Sequence, residues 1–419
     1  MGFLTKAVAA GVVRHQTSSS IVAGVIRSPK IEMFTTKAIA RFLPAGHGDD
    51  LIELIDTLQT LFPGDLTVIE LKSALFLLAI LQAKRTQPAY TLKSTSDPEI
   101  TAEFTYFIKY ATAAYGKAVA IDPKSQWIID HTGLKHANVQ KYVDTKAVAG
   151  THLAEHFVAV DTEKKSVILA LMGTLTLAGV MKDLRSTYMK GKVWDEEYDV
   201  HTGMWKSAKA LVEFPSLISQ IKEGLETNPD FQLLIIGHSL GGGVAALVAC
   251  LLAEAPASST GPFVTNSRTI PGRKIMCYGF EPAPSFEESL SIRSRSMIFS
   301  IVNKNDIVPS LCHGAIEDFK IVATMLKNDT AYHAKLIDEI LTNKLNADAH
   351  LAFFRTIANE KKLVPPGRLW SMTANKTGKM EVREILDVND RFGEARFLCG
   401  MVRHHWTTDC VASLKAAAK

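Results

Sequence analysis

Apolar residues recur at helical spacing in the first quarter of the chain. Residues 50–62 set their leucines and isoleucines on one face of a helix, and residues 73–83 form an uncharged apolar run. Together they predict a helical N-terminal region. The apolar run is shorter than the roughly 18 residues that a membrane-spanning helix requires. We therefore interpret it as a core helix, with an interfacial helix as the alternative.

From about residue 155 the pattern changes to short strands that alternate with helices. Residues 156–160 and 166–171 are apolar and β-branched, and the polar segment 161–165 between them predicts a hairpin. Further strands are predicted at 232–236, 274–280, 297–302, 368–372 and 380–386, further helices at 100–117, 203–226, 241–253 and 311–360, and a loop at 387–397. Buried strands that alternate with helices indicate an α/β fold, with a mostly parallel central sheet and helices on both faces.

These patterns divide the chain into three parts. Residues 1–32 are predicted to be a flexible or targeting-like leader, because Glu32 is the first acidic residue and the basic, serine-containing segment before it is typical of an organellar transit peptide. Residues 33–99 hold the helical region and a linker rich in Thr, Ser and Pro. Residues 100–419 are predicted to form the α/β domain.

Composition excludes several classes of protein. The chain has 419 residues, of which 47% are hydrophobic and 21% charged, so neither a disordered nor a fibrous protein is expected. The net charge is only +4 and the basic residues are dispersed, so we expect no nucleic-acid partner. Five cysteines without a C-x-x-C pair predict neither a disulfide framework nor a zinc site. They favour an intracellular location, cytoplasmic or peripherally membrane-associated, with organellar targeting as the alternative.

The pentapeptide Gly237-His238-Ser239-Leu240-Gly241 carries the clearest chemical signal. An apolar strand precedes it and a helix of small residues follows, which is the context of a nucleophile elbow. Because the serine of an elbow lies on a strained strand-to-helix turn, the positions two residues before and after it, Gly237 and Gly241, have room only for glycine. The turn exposes the serine hydroxyl and presents backbone N–H groups that stabilise an oxyanion. We therefore predict that Ser239 is a nucleophile.

A serine nucleophile requires a base and an acid that orients it, and in α/β-hydrolases both follow the serine along the chain. Asp306 comes shortly after the strand at 297–302 and is the first candidate for the acid. The alternatives are that Asp306 only stabilises a turn, or that Glu281, just past the strand at 274–280, is the acid.

Five histidines follow Asp306 and are candidates for the base. His313 lies too near Asp306 in the chain to come from a separate loop. His333 and His350 lie in a polar helical stretch, where we interpret them as solvated side chains. His404 and His405 fall between the last strand and a terminal helix, which is the expected position of the base.

Several segments resemble the class 3, fungal-type lipase family and, within it, the diacylglycerol lipase-like branch. They are residues 166–175 (SVILALMGTL) for the strand ending in R-G-T, Asp183-Leu184 for the downstream D-L, 200–204 (VHTGM) for V-H-x-G-[FM], 278–284 (YGFEPAP) for the turn after the elbow, 305–309 (NDIVP) for D-[IL]-V-P, and 363–369 (LVPPGRL) for L-x-P-P-G-R-[IL]. The likeness covers residues 100–419. It implies an α/β-hydrolase fold.

The resemblance also implies roles for individual residues. Carried over to this chain, the nucleophile is Ser239, the acid is Asp306, the base is His405, and the oxyanion hole consists of the backbone N–H of Leu240 with the backbone and hydroxyl of Thr174. His405 is preferred because the family has an acidic residue before its final histidine, and His404 occupies that place here. Met172 and Gly179 stand where the family often has Arg and Asp or Asn. We expect these two departures to change local scaffolding and not activity.

The function implied is a serine hydrolase that cleaves carboxylic esters of lipids, above all di- or triacylglycerols, without a cofactor or metal ion. The alternatives are a phospholipase A1, a carboxylesterase with the same triad, or a non-catalytic lipase-like signalling protein. The expected partner is a lipid ester, reached by peripheral contact with a membrane or lipid droplet and without a transmembrane span. Two segments are candidate covers of the site, 175–193 and an insert within 322–362, where that branch keeps a regulatory loop; ordinary surface helices are the alternative.

Overall fold

The computed structural model forms two compact units. The residues it describes are 43, 47–62, 64–86, 90–116, 124–135, 139–143, 153–184, 186–256 and 261–419. Unit 1 consists of the described residues among Met1–Gln87, Glu317–Asn359 and Phe397–Cys399, and unit 2 of those among Pro88–Ile316, Glu360–Arg396 and Gly400–Lys419. The predicted leader, residues 1–32, lies outside the described residues.

The secondary-structure elements are numbered in chain order. The described helices are α1 (His47–Leu61), α2 (Val68–Ala83), α3 (Pro98–Ala113), α4 (Lys124–Thr132), α5 (Leu177–Leu184), α6 (Thr202–Val212), α7 (Pro215–Thr227), α8 (Leu240–Leu252), α9 (Glu288–Arg293), α10 (His313–Asn328), α11 (Thr330–Leu341), α12 (Ala347–Ile357), α13 (Val388–Phe392) and α14 (Thr407–Ala417). The described strands are β1 (Val139–Val143), β2 (His156–Asp161), β3 (Ser166–Leu171), β4 (Tyr188–Val193), β5 (Glu196–His201), β6 (Gln232–His238), β7 (Ala253–Glu254), β8 (Val264–Thr265), β9 (Ile275–Phe280), β10 (Ile298–Asn303), β11 (Arg368–Ala374) and β12 (Met380–Glu384).

Within the described residues, eight strands of unit 2 form the central sheet, in the order β1-β2-β3-β6-β9-β10-β11-β12. The five strands from β3 to β11 run parallel. The outer pairs β1–β2, β2–β3 and β11–β12 are antiparallel. The carboxyl ends of β3, β6, β9 and β10 therefore meet at one edge of the sheet, which is where ligands bind in α/β proteins.

Helices cover both faces of this sheet. Alternate residues such as Ile168 and Ile236 pack in one cluster with Phe104 and Phe107 of α3. The intervening residues, such as Leu169, are also fully buried, on the side where α7 and α8 contact β3 and β6. Strands buried on both faces are characteristic of parallel sheets. The predicted fold class, α/β with a mostly parallel central sheet and helices on both faces, is confirmed.

Two of the predicted elements of unit 2 are wrong in detail. The single helix predicted over 203–226 is two helices, α6 and α7, because Pro215 disfavours a helical conformation in the residue before it and begins a new helix. The segment 387–397, predicted as loop, contains α13, whose first turn is capped by the Asp387 side chain accepting from the N–H of Asp390. The predicted hairpin is confirmed as β2 and β3, with Asp161 opposite Ser166.

Unit 1 contains α1, α2, α11 and α12. A capping box fixes the start of α2, where Thr67 accepts from the N–H of Glu70 and the Glu70 side chain accepts from the N–H of Thr67. The side chains of α2 are buried from Leu71 to Leu81, apart from Lys72. The interpretation of residues 73–83 as a core helix is therefore confirmed. The helices among the described residues include none with the length and apolar character needed to cross a membrane.

Candidate active site

Ser239 lies at the sharp turn between β6 and α8. Its backbone has φ 58° and ψ −130°, a conformation that costs free energy in a residue other than glycine. The turn is held by the N–H of Ser239, which donates to the carbonyl of Phe280 over 2.9 Å. A Cβ on Gly237 would overlap the Gly241 backbone, and one on Gly241 would lie 2.7 Å from the carbonyl oxygen of Leu171. Both glycines of the predicted elbow are therefore sterically required.

His405 lies between Ser239 and Asp306 and is within hydrogen-bonding distance of both. The Nε2 of His405 is 2.8 Å from the Oγ of Ser239, and its Nδ1 is 2.9 Å from the Oδ2 of Asp306. With Nδ1–H donating to the carboxylate, Nε2 is left to accept the serine proton. Ser239 and Asp306 have no exposed surface, and His405 has 5%. The structure thus brings together three residues that are separated by up to 166 positions.

Separate elements of the fold hold the acid and the histidine. Asp306 follows β10, and its Oδ1 accepts from the N–H of Val308 over 2.9 Å, which fixes the plane of the carboxylate. His405 ends a 3-10 turn at Arg403–His405, just before α14. The side-chain amide of Asn303, the last residue of β10, donates to the carbonyl of His404 over 2.9 Å. β10 therefore anchors both partners of the serine.

The alternative candidates for the acid and the base make other contacts. Glu281 is fully buried with its carboxyl oxygen 3.0 Å from the Nε2 of His238, and His404 contacts the N–H of Asn305 through Nδ1. The prediction that His333 and His350 are solvated is wrong. Both are buried in unit 1, where His333 bonds the hydroxyl of Ser73 and His350 bonds the carboxylate of Glu339. These contacts join residues of different helices, which the polar sequence context of the two histidines did not indicate.

Thr174 and Leu240, the predicted oxyanion-hole residues, flank the elbow. Leu240 is the first residue of α8, where backbone N–H groups have no acceptor within the helix. The hydroxyl of Thr174 donates to the Oδ2 of Asp183 over 2.8 Å. Burial raises the pKa of Asp183, and the bond from Thr174 partly opposes this rise. Because the hydroxyl proton of Thr174 is engaged, the backbone N–H is the group left for an oxyanion.

Gly179 and Met172, the two departures from the family pattern, both lie near the candidate site. A Cβ on Gly179 would overlap the Cγ2 of Thr174, so the glycine lets α5 approach this residue closely. Met172 is partly buried against the main core, and its N–H donates to the carbonyl of Glu155 over 2.9 Å. Gly179 therefore acts on the position of Thr174 itself.

A cavity of about 550 Å³ lies beside Thr174 and Leu240. Its size is within the range of small-molecule sites. Apolar residues that line it include Met172, Leu175, Met204 and Val244, and polar ones include Glu155, Asp183, His201 and Ser207. His201 caps α6 by accepting from the N–H of Met204 over 3.2 Å, and burial lowers its pKa to about 4. It is therefore neutral at physiological pH.

The structure also bears on metal binding and on the candidate covers. No group of three His, Cys, Asp or Glu side chains suited to a metal ion occurs in the part of the chain that the structure describes. The candidate cover 175–193 consists of the exposed Leu175, helix α5 and strand β4, and Val180 and Met181 of α5 are buried. The second candidate, 322–362, contributes mainly to unit 1.

One residue of the site was not identified from the sequence. The hydroxyl of Tyr115 is 2.7 Å from the Nδ1 of His238, and the Nε2 of His238 is 2.8 Å from the carbonyl oxygen of His405. Tyr115 looked like one of several aromatic residues on a helix. Its position 123 residues before His238 left no local signal of this contact.

Comparison with known proteins gives a family for part of the chain. Residues 168–314 match the family model described as Lipase (class 3). The resemblance stated from the motifs is therefore confirmed for this segment, which contains Thr174, Ser239 and Asp306. His405 lies beyond it.

Curated relatives and solved structures resemble this chain at low sequence identity. Diacylglycerol lipase-beta of Mus musculus is 27% identical over 166 residues, which cover 39% of this chain and 22% of the relative. Secreted mono- and diacylglycerol lipase A of Penicillium cyclopium is 24% identical over 216 residues, covering 50% and 64%. The alignments thus span less than two thirds of either relative. The native Rhizomucor miehei lipase propeptide complex aligns with a TM-score of 0.43 at 15% identity, over 78% of this chain and 86% of that one.

Proposed function

We propose that this protein, whose residues 168–314 match the class 3 lipase family model, hydrolyses carboxylic esters of lipids, with acylglycerols as the main substrates. The observation that carries the proposal is the pair of hydrogen bonds made by His405, 2.8 Å to Ser239 and 2.9 Å to Asp306. A hydroxyl, an imidazole and a carboxylate in this order form the Ser-His-Asp arrangement of acyl-transfer enzymes.

The reaction proceeds through an acyl-enzyme. The Oγ of Ser239 attacks the ester carbonyl carbon while Nε2 of His405 takes its proton, and Asp306 stabilises the imidazolium. Backbone N–H groups of Leu240 and Thr174 stabilise the oxyanion of the tetrahedral intermediate. The intermediate collapses, the C–O bond breaks, and the alcohol leaves with the proton from His405. Water activated by His405 then releases the fatty acid.

The choice of acylglycerols rests on the cavity and on the relatives. The wall of the cavity beside Thr174 and Leu240 is mixed, and its apolar side chains suit an acyl chain; the cavity also adjoins the groups assigned to the oxyanion. One of the two curated relatives is named a diacylglycerol lipase, and the other is named a mono- and diacylglycerol lipase. We extend that substrate class to this chain.

Substrate access requires part of the site to open, because Ser239 has no exposed surface. We assign the opening to α5, which directly follows Thr174 in the chain. Leu175 and Trp406, the residues next to Thr174 and His405, are 47% and 39% exposed. Exposed apolar side chains beside a lipid-hydrolysing site favour peripheral contact with a membrane or lipid droplet.

The test uses purified full-length protein and its Ser239→Ala variant. We expect the wild type to react with a fluorophosphonate probe and to release fatty acid from diacylglycerol, and the variant to lose both by a factor of about 10⁴ or more at unchanged melting temperature. A panel of mono-, di- and triacylglycerols, phosphatidylcholine and a short-chain ester identifies the substrate. Preference for phosphatidylcholine or for the short ester alone would favour a phospholipase A1 or a carboxylesterase. A wild type that neither reacts nor hydrolyses would refute the enzyme and favour a binding protein.

A further inference from the structure

A chain of buried hydrogen bonds runs beneath the candidate triad. It starts at the hydroxyl of Tyr115, passes through both nitrogens of His238, and ends at the main-chain carbonyl of His405, with contacts of 2.7 and 2.8 Å. His238 is 2% exposed and has the Ser239 backbone as its neighbour in the elbow. The mechanism above uses neither residue, although His238 contacts His405 directly and Tyr115 contacts it through His238.

Chemistry fixes the direction of each bond. The carbonyl of His405 can only accept, so Nε2 of His238 must carry a hydrogen and donate it. Nδ1 of the same neutral ring is then an acceptor, and the Tyr115 hydroxyl is its donor. The oxygen of Tyr115 also lies against Gly173, the residue before Thr174, where a Cβ would be only 2.5 Å from it. The chain therefore connects the loop of Thr174 to the main chain of His405.

The surroundings keep this link uncharged. Burial and the neighbouring His405 lower the pKa of His238 well below its usual range, so the ring stays neutral. Its centroid is only 4.8 Å from that of His405, where a second positive charge would oppose formation of the imidazolium. Burial and the Asp306 carboxylate raise the pKa of Glu281, 3.0 Å from Nε2 of His238, so this carboxyl is protonated and does not compete as an anion for the Nε2 hydrogen.

We propose that Tyr115 and His238 are positioning residues for the proposed hydrolase, and that they act by holding the main chain of His405 at a fixed distance from Ser239 and from the oxyanion loop. This inference rests on the proposed function. Asn303 and Asp306 hold His405 from the β10 side, through the His404 carbonyl and the ring Nδ1. The bond from His238 holds it from the β6 side. Its loss leaves a buried carbonyl without its donor and releases the turn that carries the base.

The experiment compares variants of full-length protein for kcat, KM and the rate of inactivation by a fluorophosphonate. Tyr115→Phe removes the first donor, and His238→Leu removes both bonds. His238→Gln retains an N–H near the position of Nε2, whereas His238→Asn is too short to reach the His405 carbonyl. Tyr110→Phe is the matched control, because it deletes a buried hydroxyl from α3, shortly before Tyr115, and that hydroxyl donates to Asp161 at the hairpin turn.

We expect kcat and the inactivation rate to fall about 10- to 100-fold in His238→Leu and His238→Asn, with KM within about twofold of the wild type. His238→Gln should recover a large part of this loss. Because Tyr115 acts through His238, Tyr115→Phe should lower kcat in the wild-type background and have no further effect in His238→Leu. Tyr110→Phe should match the wild type.

Three results would overturn the inference. One is a kcat near that of the wild type in both Tyr115→Phe and His238→Leu. Another is equal loss in His238→Gln and His238→Leu, and the third is additive loss in the double variant. Melting temperatures separate loss of position from loss of fold, and Tyr115→Phe with His238→Gln carry the test where His238→Leu does not fold. Since Ser239→Ala decides the hydrolase itself, full activity in these variants beside an inactive Ser239→Ala would refute only the positioning role.

Discussion

Gly179 offers a test of the proposed oxyanion hole that replaces no residue of the hole or of the proposed triad. This glycine lies in α5, where its missing side chain makes room for the Cγ2 methyl group of Thr174. In Gly179→Ala the new methyl group would lie well inside the 3.5–4.0 Å optimum for two carbon atoms, so we expect Thr174 or α5 to move by about 1 Å. The hydroxyl of Thr176, 3.1 Å from the same position, limits movement in another direction.

The expected effects on activity and on helix stability have opposite signs. Alanine favours a helix over glycine by about 1 kcal/mol, so α5 itself should become more stable. A displacement of about 1 Å at a donor of the oxyanion hole can lower kcat up to about 100-fold, or about 2.7 kcal/mol in transition-state free energy. Lower activity without lower stability would therefore locate the effect at Thr174.

The assay measures kcat on a soluble ester and the rate of fluorophosphonate inactivation, which depends on the same oxyanion donors. Gly48→Ala is the matched control, because Gly48 lies in helix α1 and a Cβ there would have no heavy atom within 4 Å. We expect the control to keep full activity. Wild-type kcat in Gly179→Ala, with an unchanged melting temperature, would show that Thr174 tolerates the methyl group and that the reasoning about its position is incorrect.

Two further predictions concern the carboxyls and a buried histidine. Asp306→Asn should lower kcat about 10⁴-fold, because the asparagine no longer selects the productive tautomer of His405. Glu281→Gln replaces one neutral group by another and should keep most of the activity at pH 7. Steady-state kinetics of the two variants test this assignment, and a larger loss in Glu281→Gln than in Asp306→Asn would contradict it. Burial lowers the pKa of His201 to about 4. As the pH falls below about 6.5, the unfolded chain therefore binds a proton at this residue before the folded chain does. The free energy of unfolding should fall by up to about 3 kcal/mol between pH 6.5 and 4 because of this group. His201→Asn, which can still cap α6, should flatten that part of the curve of melting temperature against pH; a parallel curve would exclude His201 as the cause.

Elements whose structure depends on residues adjacent in the sequence could be predicted from local sequence patterns. The strand, sharp turn and small-residue helix around Ser239 could be predicted because each is written in contiguous sequence. The break between α6 and α7 could also have been predicted from the sequence, because Pro215 disfavours a helical conformation in the residue before it. The capping side chain of Asp387 similarly marks α13.

Contacts between distant segments were not accessible in this way. The choice between His404 and His405 required comparison with a family, because two adjacent histidines in one turn have the same local context. The link from Tyr115 to His238 joins segments 123 residues apart and leaves no periodic pattern. The grouping of residues 317–359 with the N-terminal helices in unit 1 is set by tertiary packing. The predicted domain boundary at residue 99/100 stays a prediction.

The two carboxyls at the carboxyl edge of the sheet show how environment separates groups that sequence leaves equivalent. Glu281 and Asp306 each follow a parallel strand, β9 and β10, and both are fully buried. Asp306 accepts from the N–H of Val308 and faces Nδ1 of His405. Glu281 instead lies beside the neutral ring of His238, and the charge of Asp306 together with burial raises its pKa. The two carboxyls therefore differ in their partners, and of the two Asp306 is the one placed to orient the ring of His405.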